Sequence, residues 1–320
     1  MNKHLLIAGL LVSGTAFANM MEGPFDRQGL SGDLSLMAGY SSRTSNFNTE
    51  NSTKTGTLNS EGESDSDVMF APIGQVRYTF GTQQLFLGMA QEDIVEGVFA
   101  LEAGYAFELD SGTVLSLSYL PTIVKGETWQ DPYLLNTARQ KTDISGNAYR
   151  IQVRNIAGIG IDTDLAYYDK EIENEQSGSG DKLLRRDGNG YRFKVSGGLP
   201  LSQSTFLMPA VTYHSYSADG KAMSYDELGF ALSVMQMVGN GKVSLNGNYS
   251  NSDFEAINPL FNKKQKDNSY SVNLAYEYMG LMGWQNASFN VMAGYEDIDS
   301  NIDFYDENGY RLGMGVKFSF

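Results

Sequence analysis

The chain of 320 residues contains no cysteine and only two histidines. It therefore has no disulfide, no thiol nucleophile and no Cys-based zinc site. Basic residues are also scarce, with 23 Lys and Arg against 38 Asp and Glu and a net charge of −15. This balance argues against a nucleic-acid partner, because phosphate binding requires clustered basic residues. The chain also lacks an apolar run of the roughly 20 residues that a membrane-spanning helix requires. By length alone, one or two soluble acidic domains would be the default expectation.

The first residues have the pattern of a secretory signal peptide. Lys3 and His4 form a short basic start, and residues 5–12 are an apolar run broken by one glycine. Ala16 and Ala18 then provide the small-x-small pattern of a signal peptidase site, which predicts cleavage after Ala18. The apolar run is too short to anchor the chain in a bilayer. We therefore expect an exported protein.

The rest of the chain alternates between apolar and polar residues with a period of two, as a strand with one apolar face requires. The last segment shows the pattern clearly, because every second residue is apolar and the residues between are polar or glycine. The apolar positions are Tyr310, Leu312, Met314, Val316, Phe318 and Phe320.

A soluble β-sandwich would also show such alternation, with the apolar face in a core. Aromatic residues at the ends of the apolar faces favour a membrane barrel instead, because aromatic girdles mark the two lipid–water interfaces. A closed sheet is also the arrangement of strands that pairs every backbone amide in lipid. The girdle positions are Tyr40, Phe80, Tyr105, Phe107, Tyr119, Tyr167, Tyr213, Tyr249, Tyr278 and Tyr310.

The pattern predicts an all-β fold, a single transmembrane antiparallel up-and-down β-barrel of about fourteen strands. Twelve or sixteen strands stay open, because short segments are weak signals. Short periplasmic turns alternate with longer external loops, the longest over residues 41–66, which we expect to be mobile. The domain boundaries are 1–18 for the signal peptide, 19–29 for a short periplasmic segment and 30–320 for the barrel. The predicted strands are 30–40, 68–80, 84–91, 96–109, 113–125, 147–157, 161–171, 189–199, 204–217, 224–238, 242–253, 268–279, 284–296 and 307–320, and the other long loops are 126–146, 172–188, 218–223, 254–267 and 297–305.

The signal site, the alternating strands and the terminal phenylalanine together resemble bacterial outer-membrane β-barrels. The resemblance implies location in the outer membrane of a Gram-negative bacterium, surrounded by lipid and lipopolysaccharide. It also implies that Tyr310 to Phe320 is the signal read by the barrel-assembly machinery. The signal peptide, the length and the strand Phe99-Ala100-Leu101-Glu102-Ala103-Gly104-Tyr105 resemble an uncharacterised gammaproteobacterial outer-membrane family, a domain of unknown function.

Charged residues on the polar faces of the strands are candidates for a lumen that guides solutes, since opposed charges create a transverse field. An equally weighted alternative is that they form salt bridges that only hold the wall together, and a one-residue slip would reverse the assigned face. The basic candidates are Arg77, Arg150, Arg154, Arg192, Lys194, Arg311 and Lys317, and the acidic candidates are Glu102, Glu108, Asp162, Asp164 and Glu277.

We therefore expect an outer-membrane channel for passive diffusion of small hydrophilic or charged solutes. Fourteen strands lie between the filled barrels of eight and the open pores of sixteen or more. One alternative is a non-conducting surface-binding or structural barrel. A second is a transporter of hydrophobic compounds, although only eleven residues precede the first strand and leave no room for a large N-terminal hatch.

An enzyme is not expected. After signal removal the only histidine is His214, and its neighbour Ser215 points to the opposite face of a strand, so the two cannot form a dyad. Asp297, Asp299, Asn301 and Asp303 match the first spacings of a calcium loop, but Ile302 replaces the required glycine and Asn308 replaces the glutamate. We therefore expect no metal site and no cofactor.

Overall fold

A computed structural model of the chain describes Phe25, residues 27–89, Ile94 and residues 98–320. The predicted signal peptide, its cleavage site at Ala16 and Ala18, and most of the segment 19–29 lie outside the described residues. The strands are β1 (Gly29–Ser45), β2 (Glu63–Phe80), β3 (Gln83–Met89), β4 (Phe99–Glu108), β5 (Val114–Val124), β6 (Gly126–Trp129), β7 (Lys141–Ser145), β8 (Asn147–Arg154), β9 (Ile161–Ile172), β10 (Gly188–Gly197), β11 (Leu199–Pro200), β12 (Thr205–Ala218), β13 (Tyr225–Val238), β14 (Gly241–Asn258), β15 (Lys263–Met279), β16 (Ala287–Ser300) and β17 (Glu307–Ser319).

Within the described residues, helical structure is confined to single turns in the connections. These turns are α1 (Ser177–Gly180) and the 3-10 turns Ile156–Gly158, Lys182–Leu184, Lys221–Met223, Leu281–Gly283 and Asp303–Tyr305. Within the described part of the chain, no helix has the length and apolar character needed to cross a membrane.

Fourteen strands form one closed antiparallel wall. Each wall strand pairs with the next along the chain, and β1 pairs with both β2 and β17, which closes the sheet. The wall consists of β1–β5, β8–β10 and β12–β17, while β6 and β7 form a hairpin in the connection between β5 and β8. The predicted barrel of fourteen strands is therefore confirmed, and the counts of twelve and sixteen are wrong.

The period of two separates an apolar outer face from a polar inner face. On β17, Leu312 and Met314 are 51% and 56% exposed on the outside, while Lys317 lies on the inside and contacts Glu277. The same alternation holds on β8, where Tyr149 is exposed and Arg150 is buried. The exposed apolar face is the surface that a bilayer covers.

The strands extend beyond the predicted ends at the end of the barrel with the long connections. β14 continues to Asn258 and β15 begins at Lys263, within the predicted loop 254–267. β1 and β2 likewise shorten the predicted loop 41–66 to residues 46–62. Past the aromatic girdle both strand faces meet water or other loops, so an apolar alternation is no longer required there.

The opposite end of the barrel has tight turns and carries both the start of β1 and the end of β17. Gly81 and Gly239 occupy such turns with φ of +62° and +56°, a backbone conformation that favours glycine. Phe320 exchanges two backbone hydrogen bonds with Gly32, each of 2.9 Å. Short turns face the periplasm in outer-membrane barrels, so this is the periplasmic end and the long connections are external.

Candidate functional site: the lumen and its external cap

Six external connections fold against one another over the mouth of the barrel, and we call them the cap. They are residues 46–62, 125–146, 173–187, 219–224, 259–262 and 301–306. The centre of the cap is apolar, because Leu184, Ala222, Ile302 and Phe304 have no exposed surface, and Tyr133 and Tyr305 are nearly as buried. Four different connections contribute these side chains, so the cap is a small hydrophobic core of its own.

Phe304 lies at the centre of this core. Its ring centroid is 5.1 Å from those of Tyr133 and Tyr305 and 5.5 Å from that of Phe261. The hydroxyls of Tyr133 and Tyr305 are 2.8 Å apart, and Asn258 Nδ2 donates to the Tyr305 hydroxyl at 2.8 Å. The buried polar atoms are therefore paired, as a stable core requires.

Buried cations fasten the first external connection into the cap. Arg139 Nη1 donates to the carbonyl of Asn46 at 2.8 Å, and its guanidinium lies 4.4 Å from the centre of the Trp129 ring. Lys54 Nζ donates to the carbonyls of Ser60 and Glu61 at 3.0 and 3.1 Å. The expected mobility of this loop is not what the structure shows. The loop has few large apolar groups, but its carbonyls bind these buried cations.

Burial in the cap changes the ionisation of its side chains. Desolvation raises the pKa of Tyr133 to about 12, and it also raises the pKa of Tyr305. Desolvation lowers the pKa of the Lys54 ammonium, helped by the nearby charge of Arg139. The cap therefore favours neutral tyrosines, a point that bears on its stability in alkali.

The lumen directly beneath the cap is lined with apolar and aromatic side chains. Leu120, Ala148, Ala166, Tyr168 and Tyr216 are buried there on the inner face of neighbouring strands. The rings of Tyr168 and Tyr216 are stacked with centroids 5.9 Å apart. Ile94, which lies between β3 and β4 in the sequence, belongs to the same cluster.

A second apolar patch lies on the opposite inner wall. Met37, Met69, Ala71, Ile73 and Met292 form it, from β1, β2 and β16. Methionine side chains are flexible and fill irregular gaps. The sequence reasoning assigned only charges to the lumen and missed both apolar patches, because inward apolar residues interrupt the alternation that it relied on.

Arg150 is the centre of one charged cluster in the lumen. Its Nε lies 3.0 Å from both carboxylate oxygens of Asp164, its Nη2 donates to the same carboxylate, and its Nη1 is 3.7 Å from Glu102. Gln152 also donates to Asp164 at 3.1 Å, and Ser118 donates to Glu102 at 2.6 Å. One arginine is thus shared between two acids, and its single positive charge balances half of theirs.

Other predicted lumen charges also pair. Glu277 accepts from Lys242 at 2.7 Å and from Lys317 at 2.5 Å near the periplasmic end. Ion pairs further join Arg77 to Asp33 at 3.1 Å and Arg311 to Glu296 at 2.9 Å. Sequence reasoning missed Asp33, Lys242 and Glu296, although each stands at a polar position of an alternating strand, which is the signal that identified their partners.

The remaining five candidates are Asp162, Glu108, Lys194, Arg192 and Arg154. Asp162 accepts from the backbone N–H of Asn155 at 2.7 Å, and Glu108 lies at the periplasmic end of β4. Lys194 and Arg192 on β10 are in register with Asp164 and Ala166 on β9. Arg154 makes no ion pair with any described residue, and its buried Nε has no hydrogen-bond partner.

His214 belongs to the aromatic inner wall. Its Nε2 lies 2.7 Å from the hydroxyl of Tyr168, while Ser215 faces Tyr213 on the outer side. Ile302, which occupies the glycine position of the failed calcium motif, is a core residue of the cap. Within residues 27–89 and 98–320 and the two single described positions, no three His, Asp or Glu side chains gather as metal ligands would.

A closed antiparallel wall with an apolar outer face, tight turns at one end and long connections at the other defines the class of bacterial outer-membrane β-barrels. The chain belongs to the family described as "Protein of unknown function (DUF2860)", which matches residues 29–319. The resemblance drawn from the sequence is thereby confirmed. The family brings no known activity.

Solved structures share the fold at low sequence identity. The CymD monoaromatic hydrocarbon channel is 10% identical, with a TM-score of 0.50 over 94% of this chain and 92% of its own. OmpT, an outer membrane protein of Vibrio cholerae, is 11% identical, with a TM-score of 0.47 over 91% of this chain and 96% of its own. The Pseudomonas putida toluene transporter TodX is 9% identical, with a TM-score of 0.46 over 94% and 93%. No curated protein matches the chain significantly. At these identities the likeness concerns the fold.

Proposed function

We propose that this protein is an outer-membrane channel for passive diffusion of small hydrophilic or charged solutes. The observation that carries the proposal is the set of paired charges around the inner wall. Ion pairs are formed by Arg150, Arg77, Glu277 and Arg311. These four residues and their partners lie on nine of the fourteen wall strands. Neighbouring charges of opposite sign create strong local fields across a narrow lumen, which bias the solutes that enter.

The cap makes this channel selective. The aromatic core around Phe304 covers the external mouth, so a solute passes only between cap connections or when some of them separate. An open general pore would not need a packed core at its mouth. The outer surface would contact lipid and lipopolysaccharide, and the alternating face of β17 from Tyr310 to Phe320 would be the segment read by the barrel-assembly machinery.

The decisive test is ion conductance of the purified mature protein in a planar bilayer with a salt gradient. We expect discrete conductance steps, and a reversal potential that moves toward cation selectivity when Arg150, Arg154 and Arg192 are all changed to Gln. A matched control changes both partners of one pair, Arg311→Gln with Glu296→Gln, which preserves the net charge of the lumen. A protein that never conducts would overturn the channel and favour a surface-binding or structural barrel.

The apolar patches favour a second candidate, a transporter of hydrophobic compounds. Leu120, Tyr168 and Tyr216 beneath the cap offer a surface on which an apolar solute is desolvated, and Met37 and Met69 offer another. This candidate predicts uptake of toluene into proteoliposomes with little ion conductance. Replacing Tyr168 by Asn would slow toluene uptake, whereas the charge variants above would leave it unchanged.

A further inference from the structure

Arg154 differs from the other arginines of the lumen whose ion pairs are described above. Arg77, Arg150 and Arg311 each hold a carboxylate within 4 Å. Arg154 lies on the same inner face, because it alternates with the outward-facing Ile151 and Tyr149 on β8. No described residue accepts a hydrogen bond from its guanidinium, and its Nε is buried without a partner.

The acid nearest to Arg154 along the wall is already engaged. Asp162 accepts a hydrogen bond from the backbone N–H of Asn155 at 2.7 Å. Arg154 interacts electrostatically with Asp162 and Glu102, but also with the cations Arg77 and Arg150. Glu102 is shared with Arg150 and accepts from Ser118. Among the described residues, none accepts a hydrogen bond from this partly buried cation, and the buried Nε without an acceptor is costly.

We propose that Arg154 binds the oxyanion of a solute, a carboxylate or a phosphate group, at the periplasmic end of the lumen. The guanidinium fork presents parallel N–H donors that match the two oxygens of a carboxylate. Arg77 and Arg150 add positive potential, while their own acid partners prevent them from holding the anion permanently. Such a site attracts an anion and still releases it, as conduction requires. The inference names a solute class for the proposed channel and so rests on it.

A first experiment tests binding without relying on conductance. The mature protein in detergent is treated with phenylglyoxal, which modifies accessible arginines, and the modified peptides are quantified by mass spectrometry. We expect Arg154 to react faster than the paired Arg150, Arg77 and Arg311, and sodium acetate or inorganic phosphate to slow its reaction selectively. Equal protection of all four arginines, or none at Arg154, would overturn the site. Comparing the two anions separates a carboxylate preference from a phosphate preference.

A second experiment measures the same site during conduction. Acetate added on the periplasmic side is expected to reduce the chloride current of the native protein. The acetate concentration that gives half of this effect should be roughly tenfold higher in Arg154→Gln, because the variant loses one charge-assisted pair with the anion. Arg154→Lys keeps the charge but not the fork and should fall between the two. The double variant Arg311→Gln and Glu296→Gln should match the native protein. If current flows but Arg154→Gln leaves the acetate effect unchanged, the proposed channel is supported and the proposed anion site is overturned.

Discussion

The two ends of the barrel are stabilised by different interactions. At the external end, aromatic side chains from connections far apart in the sequence pack around Phe304, which has no exposed surface. At the periplasmic end, Glu277 lies between Lys242 and Lys317, and Arg77 pairs with Asp33. The cap core is thus stabilised by apolar burial, and these parts of the periplasmic end are stabilised by ion pairs.

In the proposed channel, this difference separates the control of access from the control of selectivity. Removing one central ring leaves a cavity that its neighbours fill only partly. The side chains packed around that ring therefore all lose contacts together. Ion pairs on a rigid wall act more independently, and each changes the local potential without opening the structure. We therefore expect cap variants to change whether a solute enters, and wall variants to change which solute enters.

The largest effect is expected for Phe304→Ala in the centre of the cap. Deleting a fully buried phenyl ring typically costs about 3–5 kcal/mol, which here falls on the cap while the wall stays paired. Trp129, buried in the cap, reports the change through its fluorescence once Trp284, exposed at the periplasmic end, is changed to Phe. We expect the emission of Trp129 to shift to the red and the open probability in bilayers to rise.

A control at the cap surface distinguishes this effect from general loosening. Leu260 is 42% exposed, so Leu260→Ala should leave both the emission and the open probability close to native. If Phe304→Ala changed neither property, the cap would not control access to the lumen.

The next largest effect is the release of the cap in alkali. Burial raises the pKa of Tyr133 to about 12, whereas an unfolded tyrosine titrates near 10. Between these two values the open state binds fewer protons than the closed cap, so stability falls as pH rises, by roughly 3 kcal/mol for two pKa units. Trp129 emission should therefore change between pH 10 and 12 and remain constant below pH 10.

The variant Tyr133→Phe separates this titration from other alkaline changes. It removes the ionisable hydroxyl, so the transition should become weaker, driven only by Tyr305, whose pKa burial also raises. Lys54 acts in the opposite sense, because its lowered pKa makes the cap more stable as pH rises toward the ordinary value of lysine. A transition of the same size in Tyr133→Phe would remove the tyrosine from the explanation.

The two ends also differ in how far the sequence predicts them. Strand alternation is a local signal, so the face of Arg150 or Lys317 follows from its immediate neighbours. The partner of each charge depends on strand register. Arg150 is opposite Ala166 in the ladder but binds Asp164 two residues away, a diagonal contact that alternation alone does not specify. The sequence thus predicted inward charges but not which of them pair.

Strand alternation could not predict the cap. Tyr133 and Phe304 are 171 positions apart and belong to connections that look polar overall. Apolar residues inside polar loops, such as Ile302 and Phe304, were the available signal, but no periodicity tells which loops meet. The strand extensions near Asn258 and Lys263 were missed for a related reason, since lipid no longer imposes alternation above the girdle.

The smallest effect is expected where charge lies at the external end but outside the cap core. Asp253 is 2.8 Å from Lys264 and 3.1 Å from Lys266, with about half of each side chain in solvent. Exposed pairs of this kind contribute about 0.2–1 kcal/mol, because water and salt screen them. Asp253→Asn should therefore shift the denaturant midpoint of the barrel in vesicles only slightly. Glu277→Gln leaves the buried Lys242 and the partly buried Lys317 without their shared carboxylate and should shift the midpoint more. Equal shifts would mean that burial does not distinguish the charges at the two ends.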